Sequence, residues 1–181
     1  MSYCVFLGDG FEDVEAVAVI DVLRRARVTV DIYGVGREEI TSRSHLVYKA
    51  EKIFRTKEEI DLQEYEGILL PGGPGVDGLV GNTELLSVIK AFHAAGKLVF
   101  AICAAPRLLD AAGVLEGRRY TCYPNTPVRN GTRVDQPVVV DGNIVTSQGV
   151  GTALAAALKL VEIIISRSEA GTQAKKILFR N

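Results

Sequence analysis

A cysteine set among small residues is the feature of this chain best suited to covalent chemistry. In Ala101-Ile102-Cys103-Ala104-Ala105 the cysteine has an alanine two places before it and another two places after it. A strand that turns straight into a helix needs small neighbours there, because larger side chains would collide. The same steric logic builds the G-x-S-x-G elbow of serine hydrolases. An elbow would put the Cys103 sulfur at a helix start, with backbone N–H groups aimed at it. A free thiol with a pKa of about 8.5 is only a few per cent thiolate at pH 7. Making it mostly thiolate means lowering that value by roughly 3, or about 4 kcal/mol. A helix terminus contributes at most ~2 kcal/mol, so a second group has to help. A protonated carboxylic acid donating to the sulfur supplies ~1.5–3 kcal/mol. An ionised one would raise the thiol instead. Any acid beside Cys103 should therefore hold its proton, and the two groups should titrate as a pair.

A second unusual turn is Pro71-Gly72-Gly73-Pro74-Gly75. It lacks the lysine and spacing of a P-loop, and its prolines remove N–H donors, so an oxyanion-binding turn fits better than a phosphate cradle. Glu12, Asp13 and Glu15 suggest a metal only at first sight. Acids at a helix start complement the dipole, and no further oxygen ligands converge, so neither metal nor cofactor is assigned. Taken alone, Glu15 reads as a solvated first-turn acid. Cys4 reads as core. Cys122 falls near the expected pocket mouth without being assigned a role, and Tyr123 can line that pocket or donate a hydrogen bond. His45 and His93 read as surface or satisfied residues rather than catalysts.

These turns have to be positioned by a scaffold. Tyr3 to Leu7 is a short apolar run ended by Gly8-Asp9-Gly10 and reads as a buried strand. Glu12 to Arg25 carries apolar residues on one helical face. Val28 to Tyr33 is β-branched and reads as a second, parallel strand. Residues 37–55 look like short antiparallel excursions. Gly67 to Leu70 is a strand running into the glycine-rich turn. Thr83 to Ala95 is a helix capped by Asn82 and stopped by Gly96. Leu98 to Ile102 is a strand and Ala104 to Ala112 a helix, with Cys103 at the junction. Short strands are expected around Tyr120-Thr121-Cys122, Val138 to Val140 and Ile144 to Thr146. Helices over Thr152 to Ser166 and Glu169 to Lys176 close the chain. Strands alternating with helices imply a mostly parallel sheet covered on both faces, with ligands beyond the carboxyl ends of the strands.

Composition narrows the class. With 181 residues, 48% hydrophobic and 24% charged, the chain fits one globular domain that needs no disulfide. A net charge of −1 and the lack of a basic, aromatic-interleaved stretch give no sign of nucleic acid. No leader peptide and no apolar stretch of membrane-spanning length is expected. Three widely spaced cysteines form no disulfide or zinc framework, which suggests a reducing cytoplasm.

Four segments, in order, carry a resemblance: Gly10-Phe11-Glu12-Asp13-Val14-Glu15-Ala16, Leu70-Pro71-Gly72-Gly73, Ala101-Ile102-Cys103-Ala104-Ala105-Pro106, and Thr146-Ser147-Gln148-Gly149-Val150-Gly151-Thr152. Together they resemble the ThiJ/PfpI superfamily, in the branch of the parkinsonism-associated protein deglycase and its bacterial YajL-type relatives. The likeness covers nearly the whole chain. It implies one class I glutamine amidotransferase-like domain over 1–181, a flavodoxin-like three-layer sandwich, and a homodimer. It also implies that Glu15 is the acid hydrogen-bonded to the reactive, easily oxidised Cys103. Gly72, Gly73 and Ala104 would supply N–H groups facing the substrate oxygen. Arg25 and Arg43 fall near arginines of the family's dimer interface and site, and Ser147 and Gly149 lie in the loop bordering the pocket. Several members carry a histidine before the proline of Thr121-Cys122-Tyr123-Pro124, where this chain has Tyr123. A mechanism that uses that imidazole as proton shuttle therefore does not carry over.

The resemblance implies a cofactor-free glyoxalase or deglycase acting on 2-oxoaldehydes, such as methylglyoxal and glyoxal, or on their early protein adducts. Two alternatives use the same cysteine. One is a redox-sensing, stress-response chaperone switched by oxidation of Cys103 to sulfinic acid. The other is a peptidase or amidase, disfavoured because Ala104 stands where the superfamily's protease-like members place a histidine.

Overall fold

The computed structural model describes residues 1–180. In chain order its elements are β1 (Ser2–Leu7), α1 (Asp13–Arg25), β2 (Thr29–Val35), β3 (Glu39–Thr41), β4 (Val47–Lys49), β5 (Lys52–Phe54) and β6 (Gly67–Leu70). There follow α2 (Val76–Leu79), α3 (Thr83–Ala94), β7 (Leu98–Ile102), α4 (Pro106–Ala111), β8 (Arg119–Tyr120), β9 (Thr132–Arg133), β10 (Val138–Asp141), β11 (Ile144–Ser147), α5 (Ala153–Ile164) and α6 (Arg167–Lys176). The central sheet runs β10-β11-β7-β6-β1-β2-β5, with every pairing parallel except β10 against β11.

β1, β6, β7 and β11 are almost wholly buried because both faces of the sheet are covered there. Along β1, Tyr3, Val5 and Leu7 point into a core shared with α1, α5 and α6. Cys4 and Phe6 point the other way, towards α3 and α4. β7 divides the same way, with Leu98, Phe100 and Ile102 on the first side and Val99 and Ala101 on the second. The strand period of two feeds two cores from each segment. The order β2-β1-β6-β7-β11 repeats the 2-1-3-4-5 winding of flavodoxin-like sheets, whose ligand crevice lies where the winding reverses. Here that crevice falls between β1 and β6, beside β7.

Four local expectations need correction. Within 37–55, β3 and β4 form an antiparallel hairpin, but β5 joins the main sheet as a parallel edge strand beside β2. Its Phe54 is buried edge-on against Phe6, which draws the segment in. In the Tyr120-Thr121-Cys122 segment only Arg119 and Tyr120 form a strand, because the Thr121 amide turns to the Thr146 hydroxyl instead of a ladder partner. The helix after Cys103 starts at Pro106 rather than Ala104, since the Ala105 amide bonds back to Ile102 in a tight turn. The short α2, inside the segment left unassigned after the glycine-rich turn, was not expected from the sequence.

Candidate active site

The elbow is real and strained. Cys103 has φ +63°, a left-handed conformation that costs a non-glycine residue about 1–2 kcal/mol. Three neighbours hold it there. Its amide donates to the Ser147 carbonyl at the end of β11 (3.0 Å), and its own carbonyl accepts the Tyr123 amide (3.0 Å). On the third side Gly72 packs so closely that an added Cβ would stand 2.7 Å from the Cys103 Cβ. Only glycine fits at that position.

The β6 turn is tied in the same manner to the turn after β1. The Glu12 amide donates to the Gly72 carbonyl (2.9 Å), and the Gly75 amide to the Gly10 carbonyl (3.0 Å). Gly73, at φ +96°, would drive a Cβ to 2.6 Å from the Glu12 nitrogen. Glu15, one turn into α1, is fully buried, and its Oε2 accepts the Gly72 amide at 2.9 Å. Its Oε1 has no hydrogen-bond partner among the described residues. That atom and the Cys103 Cβ both lie beside Gly149, close enough for the carboxyl and the thiol to shift each other's titration.

The electrostatics follow from this packing. Burial, more than any charge, raises the Glu15 carboxyl to about 7, against the pull of Cys103 and the Gly72 amide. Burial and then an ionised Glu15 push the Cys103 thiol up to about 12, while the Gly73 and Ala104 amides pull it down. Two acids, one low-dielectric site: the pair gives up its first proton near pH 7 and resists losing the second. A thiolate at neutral pH therefore requires the remaining proton to sit on Glu15.

Two expectations change here. The Gly72 amide is spent on Glu15, so the donors facing the sulfur are those of Gly73 and Ala104. The support expected from a helix terminus is weak as well, because α4 has six residues and begins three places beyond the sulfur.

A cavity of about 600 Å³ opens over the sulfur, lined among others by Glu12, Arg43, Asp77, Arg107, Tyr123 and Gly149. Tyr123 is largely exposed at the mouth. Arg43 pairs with Glu12 (3.0 Å), and its guanidinium is held above its ordinary value first by that carboxylate and further by Cys103 and Glu15. The acids on the first turn of α1 go separate ways. Glu12 takes Arg43, Asp13 takes the Ser44 hydroxyl, and Glu15 faces the sulfur. Ser147 does not line the cavity. It is buried, with its hydroxyl shared between the Pro137 carbonyl and Thr152 Oγ1. Arg25 lies at the far end of α1, paired with Asp21 and away from the cavity. His45 and His93 lie outside the cavity, and Cys4 and Cys122 are buried with thiols raised by burial. Reasoning from sequence missed Arg107, Asp77 and Thr152. Arg107 had a signal, since it stands four places after the nucleophile; the other two had none.

The profile of the DJ-1/PfpI family matches residues 1–163. This chain belongs to the DJ-1/PfpI family. It is 34% identical to protein dj-1beta of Drosophila melanogaster, covering 98% of this chain and 96% of that one. It is 32% identical to a deglycase of Pyrococcus abyssi, over 91% of this chain and 99% of the relative. Identity to DJ-1 homolog B of Arabidopsis thaliana is 34% over 94% of this chain, which spans only 39% of that longer protein. Among solved structures, a C103A mutant of a DJ-1 superfamily protein from Salmonella typhimurium superposes with a TM-score of 0.92 at 31% identity, covering 99% of both chains. The mixed α/β fold with its mostly parallel seven-stranded sheet is thus the fold of this family. Among the described residues, no helix is long and apolar enough to cross a membrane.

Proposed function

We propose that this protein is a cofactor-free glyoxalase or deglycase acting on 2-oxoaldehydes, or on the early adducts they form with protein amines. The observation that carries the reading is the pairing of a strained, cavity-facing Cys103 with a fully buried Glu15 whose carboxyl is raised to about 7. Relatives named as deglycases support it. The thiolate adds to the aldehyde carbon, forming a C–S bond, and the Gly73 and Ala104 N–H groups stabilise the oxyanion. Glu15 moves the C1 proton to C2, so C1 is oxidised and C2 reduced within one molecule. Water then cleaves the thioester, releasing a 2-hydroxy acid such as lactate and returning the thiol. Cys103→Ser tests this directly. Methylglyoxal turnover by the purified protein should fall on the order of a thousandfold or more, and unchanged turnover would end the reading.

A redox-sensor reading draws on one further observation. Of the three free cysteines, Cys103 alone borders an open cavity, while Cys4 and Cys122 are buried. Peroxide should therefore oxidise Cys103 first. Aggregation suppression that appears only after peroxide treatment, with no aldehyde turnover by the reduced protein, would favour this role. We also propose that the protein works as a cytoplasmic homodimer. Exposed Val14 and Val17 on α1, with Leu46 and Val47 at the β3–β4 hairpin, supply an apolar surface for a second copy. Arg25 lies on the same helix as Val14 and Val17.

A further inference from the structure

The cavity is lined by two cations that the mechanism does not use, Arg43 and Arg107, and Arg107 is the one with the more open partner. It follows the elbow by one turn, its amide bonded to the Ala104 carbonyl, and it lines the cavity above Cys103. Its side chain is only 24% exposed, so the wall holds it in place, and its one carboxylate partner is Asp77. Asp77 is 72% exposed, and a pair with so open an acid is weak and easily exchanged. Arg43 differs. Its partner Glu12 is 10% exposed and committed to it.

The cavity is also far too large for a three-carbon aldehyde. Its about 600 Å³ lies within the range that holds drug-sized ligands, roughly 300–1,000 Å³. Arg107 further borders a second cavity of about 370 Å³ with Asp110, Arg129 and Asn130. A guanidinium offers five donors in a planar fork suited to a carboxylate, and among the described residues only Nη1 of this one is bonded to protein.

We propose that Arg107 is a specificity residue: it exchanges Asp77 for an anionic group, in the simplest case a carboxylate, at the far end of the carbonyl substrate. This rests on the carbonyl reading above. A fitting probe is 4,5-dioxopentanoate, a 2-oxoaldehyde with a terminal carboxylate, set against its uncharged analogue 2-oxopentanal. Conversion follows the same internal redox step, giving 2-hydroxypentanedioate with one water consumed.

The readout is the ratio of kcat/KM for the charged over the neutral aldehyde. In Arg107→Gln that ratio should fall about tenfold or more, mainly through KM. In Asp77→Asn it should rise, because the competing carboxylate is gone. An equal ratio in wild type and Arg107→Gln overturns the proposal while leaving the carbonyl reading intact. A wild type that turns over neither aldehyde ends the carbonyl reading, and a turnover-free assay then decides the site. Pentanoate, more than pentanol, should slow iodoacetamide alkylation of Cys103 in wild type, and this difference should vanish in Arg107→Gln. Equal protection by the two probes in wild type overturns the proposal.

Discussion

Glu15 and Asp31 are two acids packed against the same sheet, and they are treated in opposite ways. Asp31, on β2, receives Lys52 Nζ at 2.7 Å and the Tyr65 hydroxyl at 2.7 Å, and Tyr65 in turn meets Tyr33 at 2.9 Å. Burial works against its charge, yet those hydrogen bonds and the Lys52 ammonium hold the carboxyl below its usual range. Glu15 receives one backbone amide, keeps one oxygen without partner, and is raised to about 7. A buried polar group left incompletely satisfied costs roughly 1–3 kcal/mol. The fold gives the structural acid two side-chain donors, one of them a cation, and gives the acid beside Cys103 a single backbone amide. There the unmet valence is what can carry a proton.

The largest test of this contrast is Glu15→Gln. Glutamine can still donate to the sulfur but cannot move a proton, so methylglyoxal turnover should drop by about 10²–10⁴-fold while iodoacetamide still alkylates Cys103. The pH profile of that alkylation sharpens it. An ionised Glu15 holds the thiol up, so Glu15→Gln should move the alkylation profile to lower pH than in wild type. A wild-type profile that stays flat through pH 7 would mean the thiolate does not form there.

The two acids should also give stability opposite slopes with pH. Glu15 has a native value above its ordinary 4.5, so its contribution is full below about pH 4.5 and is lost as pH rises through about 7. Urea unfolding should therefore show Glu15→Gln gaining about 3 kcal/mol on wild type across that window. Parallel curves would contradict a neutral, buried Glu15. Asp31 has a lowered native value, so its contribution is present above about 3.8 and is lost as pH falls through that lowered value. Asp31→Asn should cost about 1–3 kcal/mol at neutral pH and leave aldehyde turnover as it was. Lost turnover at unchanged stability would erase the distinction between the two acids.

The smallest expected effect concerns the loop over Glu15. Thr152 Oγ1 accepts the Gly149 amide at 3.1 Å and meets the Ser147 hydroxyl at 2.7 Å, bracing the loop beside Glu15 and Cys103. Thr152→Val removes those bonds, worth about 1 kcal/mol, and kcat for methylglyoxal should fall several-fold with the Cys103 alkylation profile unmoved. A shifted profile would show that the loop acts on the pair's proton and not on substrate placement.

Much of this was legible along the chain. Short apolar runs bounded by glycine marked β1, β6 and β7, because a strand buried on both faces has no polar positions to spare. The alanines around Cys103 and the doubled glycine at 72–73 marked the two turns, since steric exclusion acts between near neighbours. Less regular pieces were not legible. β5 carries three residues and joins the sheet through Phe54, whose partner Phe6 lies 48 positions earlier. The amide of Gly72 looked like an oxyanion donor until Glu15 was found to occupy it.

The sequence by itself determined the fold class and singled out Cys103 as the candidate nucleophile, because these depend on local sterics and periodicity, while Glu15 became the candidate acid only through the family resemblance. Only the tertiary structure decided which amides reach the sulfur, that Ser147 braces the loop from below the cavity, and that Arg107 faces the pocket while Arg25 does not. Those outcomes depend on distances between segments far apart in the chain, and on how much water the packing removes. Neither quantity is written in the spacing of residues.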